Sequence, residues 1–260
     1  MTNEISEKLA TSLTAKTTEL IPYLPYLLQN FWELGSDPSI MVDLIKKHTT
    51  LSQNAVVLDL ACGKGAVSVK IAKAFGVKVA GVDIMSEFIE VAKRKATEHG
   101  VSHLCNFIIG DINEAVKTDI QYDCIVLGAT GEVLGSPQEI IRKLKPIVKA
   151  GGYILLDESF LPEGGAQEDV RYANHSYISE TEWKELFTQE GIEIVAADFG
   201  GFDNLDENDG LEAITKRANE LTLKHPDKRE PFEGYVDSQK AEYIDLKSNL
   251  TSVTWLLRKL

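Results

Sequence analysis

The stretch VVLDLACGKGAVSVKIA, Val56 to Ala72, constrains the chain more than any other. Its first five residues form a short apolar run without polar alternation, as a strand covered on both faces requires. Gly63 and Gly65 follow, and apolar positions then recur at helical spacing, Val67, Ile71, Ala74 and Phe75, up to a stop at Gly76. Glycine in such a turn lets the backbone adopt positive φ and lets a ligand approach with no Cβ in the way. Asp59 stands near the strand end, and Asp83 follows Gly63 by 20 residues at the end of the next apolar run. A carboxylate there is placed to accept both hydroxyls of a ribose. The unit reads as a nucleoside site.

The middle of the chain keeps this rhythm. Further apolar runs at Val77 to Val82, Phe107 to Ile109, Cys124 to Leu127 and Tyr153 to Leu156 alternate with helical patterns. Ser86 opens one helix, and capping boxes at Ser136 to Glu139 and Ser179 to Glu182 open two more. Such alternation calls for a doubly wound α/β fold with a parallel sheet and right-handed crossovers. Two segments fall outside it: a helical cap over residues 1–50, broken by Pro22 and Pro25, and an acidic helical insertion over 200–249. In the insertion a loop with Asp203 and Asp206 precedes a stripe of Leu211, Ile214, Ala218 and Leu221. That stripe needs a partner, either the domain's own surface, which we favour, or a second copy in a homodimer. One domain is expected: cap, core over 54–199, insertion, and a last strand in 250–260.

Composition narrows the partners. With 27 basic against 40 acidic residues the net charge is -13, which repels phosphate backbones and anionic lipid, so neither nucleic acid nor membrane is expected. Cys62, Cys105 and Cys124 lack disulfide or metal-type spacing, so no metal is expected and a reducing cytoplasm fits.

The choice of nucleoside turns on phosphate. A dinucleotide site usually needs GxGxxG, and the third glycine falls here on Ser68. S-adenosylmethionine carries no phosphate but an amino-acid head, which Asp59 is placed to help hold. The chain resembles the class I S-adenosylmethionine-dependent methyltransferases in DLACGKGA at 59–66, GVDIMSEFIEVAKRKA at 81–96, GDINEA at 110–115, YDCIVLGAT at 122–130 and LKPIVKAGGYILLDE at 144–158. The resemblance implies a seven-stranded, mostly parallel sheet with an antiparallel last strand, here TSVTWLL at 251–257. It implies that Asp59, Ala61, Gly63 and Gly65 line the methionine portion, that Asp83 binds the ribose with Ile84 against the adenine, that Asp111 and Ile112 flank the adenine, and that Gly128 sits near the sulfonium. The expected activity is methyl transfer to a small-molecule acceptor; a nicotinamide-dependent oxidoreductase and a non-catalytic cofactor binder remain alternatives.

The acceptor side is read from loop polarity. His175 is the first candidate for a general base, with its ordinary pKa nearest neutrality; Glu132 is a candidate to orient an amine acceptor, simple exposure being its competing reading, and Tyr177 is a further catalytic candidate from the loop after the fifth strand. Tyr23, Tyr26 and Tyr172 are candidate substrate contacts from the N-terminal segment and the loop after the fifth strand. For His175 an exposed loop histidine, and for the aromatics simple packing of the cap, are the competing readings.

Overall fold

In the computed structural model, residues 2–172, 176–200 and 207–260 are described, the side chains of 207–209 excepted. Seven strands form one sheet: β1 Val56–Leu60, β2 Lys78–Asp83, β3 Cys105–Ile109, β4 Tyr122–Gly128, β5 Val148–Phe160, β6 Ile192–Asp198 and β7 Thr251–Lys259, in the order β3-β2-β1-β4-β5-β7-β6. The first five run parallel, and β7 lies antiparallel between β5 and β6. Strand order reverses between β1 and β4, which opens a crevice at their carboxyl ends.

Alternate residues of the buried strands serve opposite faces. Val57, Val79, Val126 and Leu155 pack under α3 (Pro38–His48), α4 (Ala66–Phe75) and α5 (Ser86–Glu98), after the N-terminal α1 (Asn3–Ser12) and the short α2 (Leu24–Leu27). Leu58, Ile125, Leu156 and Trp255 pack under α7 (Pro137–Leu144) and α8 (Glu180–Gln189), with the short α6 (Ile112–Ala115) beside them. Burial of this kind, at roughly 25 cal/mol per Å² of apolar surface, is what holds the three layers together.

Local sequence sets the helix ends. Asp37 caps α3 ahead of Pro38, the boxes at Ser136 and Ser179 both form, and Gly76 ends α4 at φ +68°. Ser86 differs from expectation: the residue before α5 is Met85, and the Ser86 hydroxyl turns to Glu87. Asp83, at the adjoining strand end, takes the Met85 N–H instead.

The insertion contributes α9 (Glu207–Lys224) and α10 (Arg229–Ser248). Ile214, Ala218 and Leu221 are buried against Leu20, Leu24 and Leu27 of the N-terminal segment, with Phe88 of α5 and Phe232 and Tyr235 of α10 in the same cluster. The stripe is thus covered from within the chain and needs no second copy. The loop expected around Asp203 and Asp206 lies outside the described residues. No helix among the described residues is long and apolar enough to cross a membrane.

Candidate active site

A cavity of about 590 Å³ opens at the carboxyl ends of β1, β2 and β4. It is lined by Asp59, Ala61, Gly63, Asp83, Ile84, Asp111, Ile112 and Gly128, so eight of the nine positions that the sequence assigns to a cofactor meet in one place.

The exception is Gly65. Its φ of +74° lets the chain turn into α4, and a Cβ there would lie 2.7 Å from the Ala92 Cβ and 2.9 Å from the Phe107 ring. Gly65 is thus needed for packing of the turn onto α5 and β3, and it does not line the cavity. Gly63, at φ +52°, does line it, and a Cβ added there has no neighbour nearer than Leu34 at 3.4 Å. Two non-glycine residues also adopt positive φ on the cavity wall, Ala61 at +54° and Ala129 at +52°, just past β1 and β4. Left-handed backbone costs an alanine roughly 1–2 kcal/mol, and such strain collects at ligand sites.

The acids are held in different ways. Asp83 accepts Gly63 N–H and Met85 N–H, each at 2.8 Å, on its two oxygens, which locks the carboxylate across the turn. Each oxygen keeps a second lone pair for a ribose hydroxyl. Burial raises its pKa, against the pull of those N–H groups. Asp59 is more enclosed: burial pushes its carboxyl up to about 7, although Ser68 Oγ donates to it at 2.6 Å. Ser68, which stands where a dinucleotide turn would have its third glycine, is itself fully buried. Its hydroxyl supports an acid where a phosphate site would need close backbone approach. Asp111 caps α6 through Asn113 N–H at 2.8 Å and lines the cavity as well. Cys62 also lines the cavity; burial and the two nearby aspartates hold its thiol far above the reactive range.

Several lining residues carry no sequence signal. α1 lines the cavity with Ile5 and Leu9, followed by Leu13 just past its end, and the loop before α3 brings Leu34 and Ser36. Ser36 sits on Gly128, where a Cβ would fall 2.2 Å from its oxygen. Its hydroxyl faces Asp157 closely enough to hold that acid's pKa down, yet in no hydrogen-bond geometry; loss of hydration dominates and pushes Asp157 up to about 6. Lys64, inside the glycine turn, is buried and donates to the carbonyls of Leu28 and Phe31, while Trp32 Nε1 donates to the Lys64 carbonyl at 3.0 Å.

The residues expected on the acceptor side lie elsewhere. Glu132 accepts the Ser176 N–H at 3.0 Å and, with Tyr177 and Glu158, faces a separate hollow behind the ends of β4 and β5. Burial raises the Tyr177 phenol further from neutrality and pushes Glu158 up to about 8. Tyr23 packs edge-on to Phe232 and His225, Tyr26 donates to Glu220, and Tyr172 donates its N–H to Asp245 at 2.7 Å. His175 lies outside the described residues.

Comparison with known proteins agrees with this geometry. Residues 51–191, more than half of the chain, match the family model described as "Methyltransferase domain". The chain belongs to this methyltransferase family. Among curated relatives, a malonyl-[acyl-carrier protein] O-methyltransferase of Priestia megaterium is 35% identical over 120 residues, 45% of this chain and 42% of that protein. The matched part of the chain thus spans under half the length of that relative. A demethylmenaquinone methyltransferase of Lactobacillus johnsonii is 27% identical over 75% of this chain and 89% of its own. Among solved structures, a methyltransferase from Geobacter sulfurreducens in complex with S-adenosyl-L-homocysteine superposes with a TM-score of 0.75 at 19% identity, covering 92% of this chain and 98% of that one. At that identity the likeness is one of fold. The methyltransferase match begins at residue 51 and therefore leaves out α1 and the loop before α3, which also line the cavity.

Proposed function

We propose that the chain is an S-adenosylmethionine-dependent methyltransferase acting on a small-molecule acceptor in the cytoplasm, with cap, core, insertion and last strand working as one unit. The observation that carries this is the convergence of Asp59, Gly63, Asp83, Asp111 and Gly128, separate in sequence, on one cavity at the switch point of the sheet. Asp59 is the acid for the ammonium of the amino-acid head, Asp83 for the ribose hydroxyls, and Asp111 with Ile84 and Ile112 for the adenine. When bound, S-adenosylmethionine supplies an electrophilic methyl group on sulfur. The chain's own part is to hold both partners in line and keep water out beneath α1. Ser68 in place of a third glycine, spent on Asp59, speaks against the dinucleotide alternative.

Calorimetry tests the reading. The protein is expected to bind S-adenosylmethionine and S-adenosylhomocysteine, and Asp83→Ala to lose about tenfold or more in affinity, the worth of a hydrogen bond to a charged group. No binding by the parent protein, or quenching by NADH in its place, overturns it.

A further inference from the structure

α1 is held differently from the helices that cover the sheet. It packs chiefly on two 3-10 turns, Thr18–Tyr23 and Gly131–Leu134, and its burial runs one way. Thr2, Asn3 and Glu4 are exposed, whereas Leu9, Ala10, Thr14 and Ala15 are buried, the three apolar ones in one cluster with Leu20, Leu24 and Phe232. Glu4, Ile5, Lys8, Leu9 and Ser12 line the cavity along the whole length of the helix. α1 thus lies over the cavity and is rooted at its C-terminal end.

The root turns on Thr14, whose φ of +63° is a left-handed backbone that a β-branched residue rarely adopts. Such strain persists only where the surroundings hold it, and it gathers at clamps and switch segments. Two side chains do the holding. Thr14 Oγ1 donates to the carboxylate of Glu242 on α10, 228 residues away in the chain. The Tyr172 hydroxyl, from the segment after β5, donates to the Thr11 carbonyl in the last turn of α1 at 3.3 Å. Tyr172 is itself fixed by Asp245 of α10, which accepts its N–H at 2.7 Å. Both ties lead back to the insertion, and neither Glu242 nor Tyr172 lines the cavity.

We propose that α1 is a lid on the cavity, hinged at Thr14, and that Glu242 is the latch that keeps it down, with Tyr172 as a second tie. Both are positioning residues that act through α1, so the insertion sets how fast a ligand enters and leaves. What passes beneath the lid rests on the donor reading above, whereas the latch stands on the ligand-free structure.

The test uses the full chain. Glu242→Ala and Thr14→Val cut the latch from its two sides, the second keeping the side-chain shape without the hydroxyl, while Glu242→Gln keeps an acceptor oxygen. In the ligand-free protein, amide exchange across Asn3–Ser12 is expected to rise about tenfold in both cut variants, the worth of a hydrogen bond to a charged group, while exchange in β1 and β4 holds. Glu242→Gln is expected to keep most of the protection, and the two cuts combined to add little to either alone, since both remove one contact. Rapid filtration with radiolabelled S-adenosylhomocysteine then separates a gate from a damaged site. A loosened lid passes ligand both ways, so entry and release should both quicken, by roughly threefold to tenfold. Unchanged exchange across Asn3–Ser12 in a cut variant whose β1 and β4 match the parent, or protection lost in Glu242→Gln as fully as in Glu242→Ala, overturns the latch. Faster release without faster entry, or no change in either rate, overturns the lid. Failure of the parent protein to bind S-adenosylhomocysteine overturns the donor reading and the lid's part in it, while the exchange result still decides the latch.

Discussion

Asp59 and the glycines beside it show how single residues divide binding from stability. With its carboxyl pushed up to about 7, Asp59 is half protonated at neutrality, and an ammonium group pairs only with the ionised form. Affinity for S-adenosylhomocysteine should therefore rise with pH, by roughly thirtyfold from pH 5.5 to 8, and calorimetry on Asp59→Asn should show weak binding without that slope. A flat parent profile would remove the ammonium from this acid. The stability effect has the opposite sign. Between an unfolded pKa near 4 and a folded one near 7 the folded state holds more protons, so the group destabilises increasingly as pH rises through that window. Asp59→Asn should accordingly raise the stability of the ligand-free protein at pH 8, by on the order of 2 kcal/mol in a denaturant titration. The glycines separate in the same manner. Gly65→Ala meets Ala92 and Phe107 at under 3 Å on a left-handed backbone and should lose about 2–4 kcal/mol. Gly63→Ala carries only the backbone strain, about 1 kcal/mol, yet places its methyl in the cavity and should abolish donor binding. Equal melting temperatures for the two variants would contradict this division.

At the scale of elements, what could be read in the sequence was what is encoded locally. Strands β1 to β5 announce themselves by apolar runs, and α3, α7 and α8 by caps lying within four residues of the helices they start. That Asp59, Asp83 and Asp111 stand together at one cavity was legible because the βα rhythm fixes where each strand ends. The wall formed by α1 and the loop before α3 was not, because it is built by docking the first fifty residues onto the sheet, and an amphipathic α1 does not say what it will cover. Tyr23 and Tyr26 illustrate the ambiguity: their spacing suits a site wall and a packed cap equally well, and the partners that decide, Phe232 and Glu220, lie some two hundred residues away. Lys64 is the link between cap and turn, with acceptors 36 and 33 residues upstream that no motif reveals. Lys64→Met should free the segment from Leu24 to Leu34, raising its amide exchange about tenfold or more while exchange in β1 and β4 holds. Unchanged exchange in that segment would leave Lys64 a passive filler of the turn.

For the molecule as a whole, the strand ends gather carboxyls that the fold makes reluctant to ionise: Asp59 at about 7, Asp157 at about 6 and Glu158 at about 8. Each folded pKa lies above the unfolded value, so each contributes a loss of stability as pH rises from about 4 to its own midpoint. Asp123, held low by Lys149 and the Val56 N–H, acts in the opposite sense, its contribution present above the unfolded pKa and lost as pH falls through the folded one. The net charge of -13 adds self-repulsion on the alkaline side. The ligand-free protein should therefore be most stable near pH 5 and decline toward pH 8, and Glu158→Gln should flatten the part between 6 and 8, because its midpoint lies highest. A donor that binds the ionised Asp59 stabilises by mass action, most strongly where that acid is already charged. Thermal unfolding at pH 5, 6.5 and 8, with and without S-adenosylhomocysteine, should show a gap in melting temperature that widens with pH and stays constant in Asp59→Asn. A gap independent of pH in the parent protein would mean that the energetic strain of the strand ends and the binding of the donor are separate properties of the fold, whereas a widening gap makes the buried acid the point at which they meet.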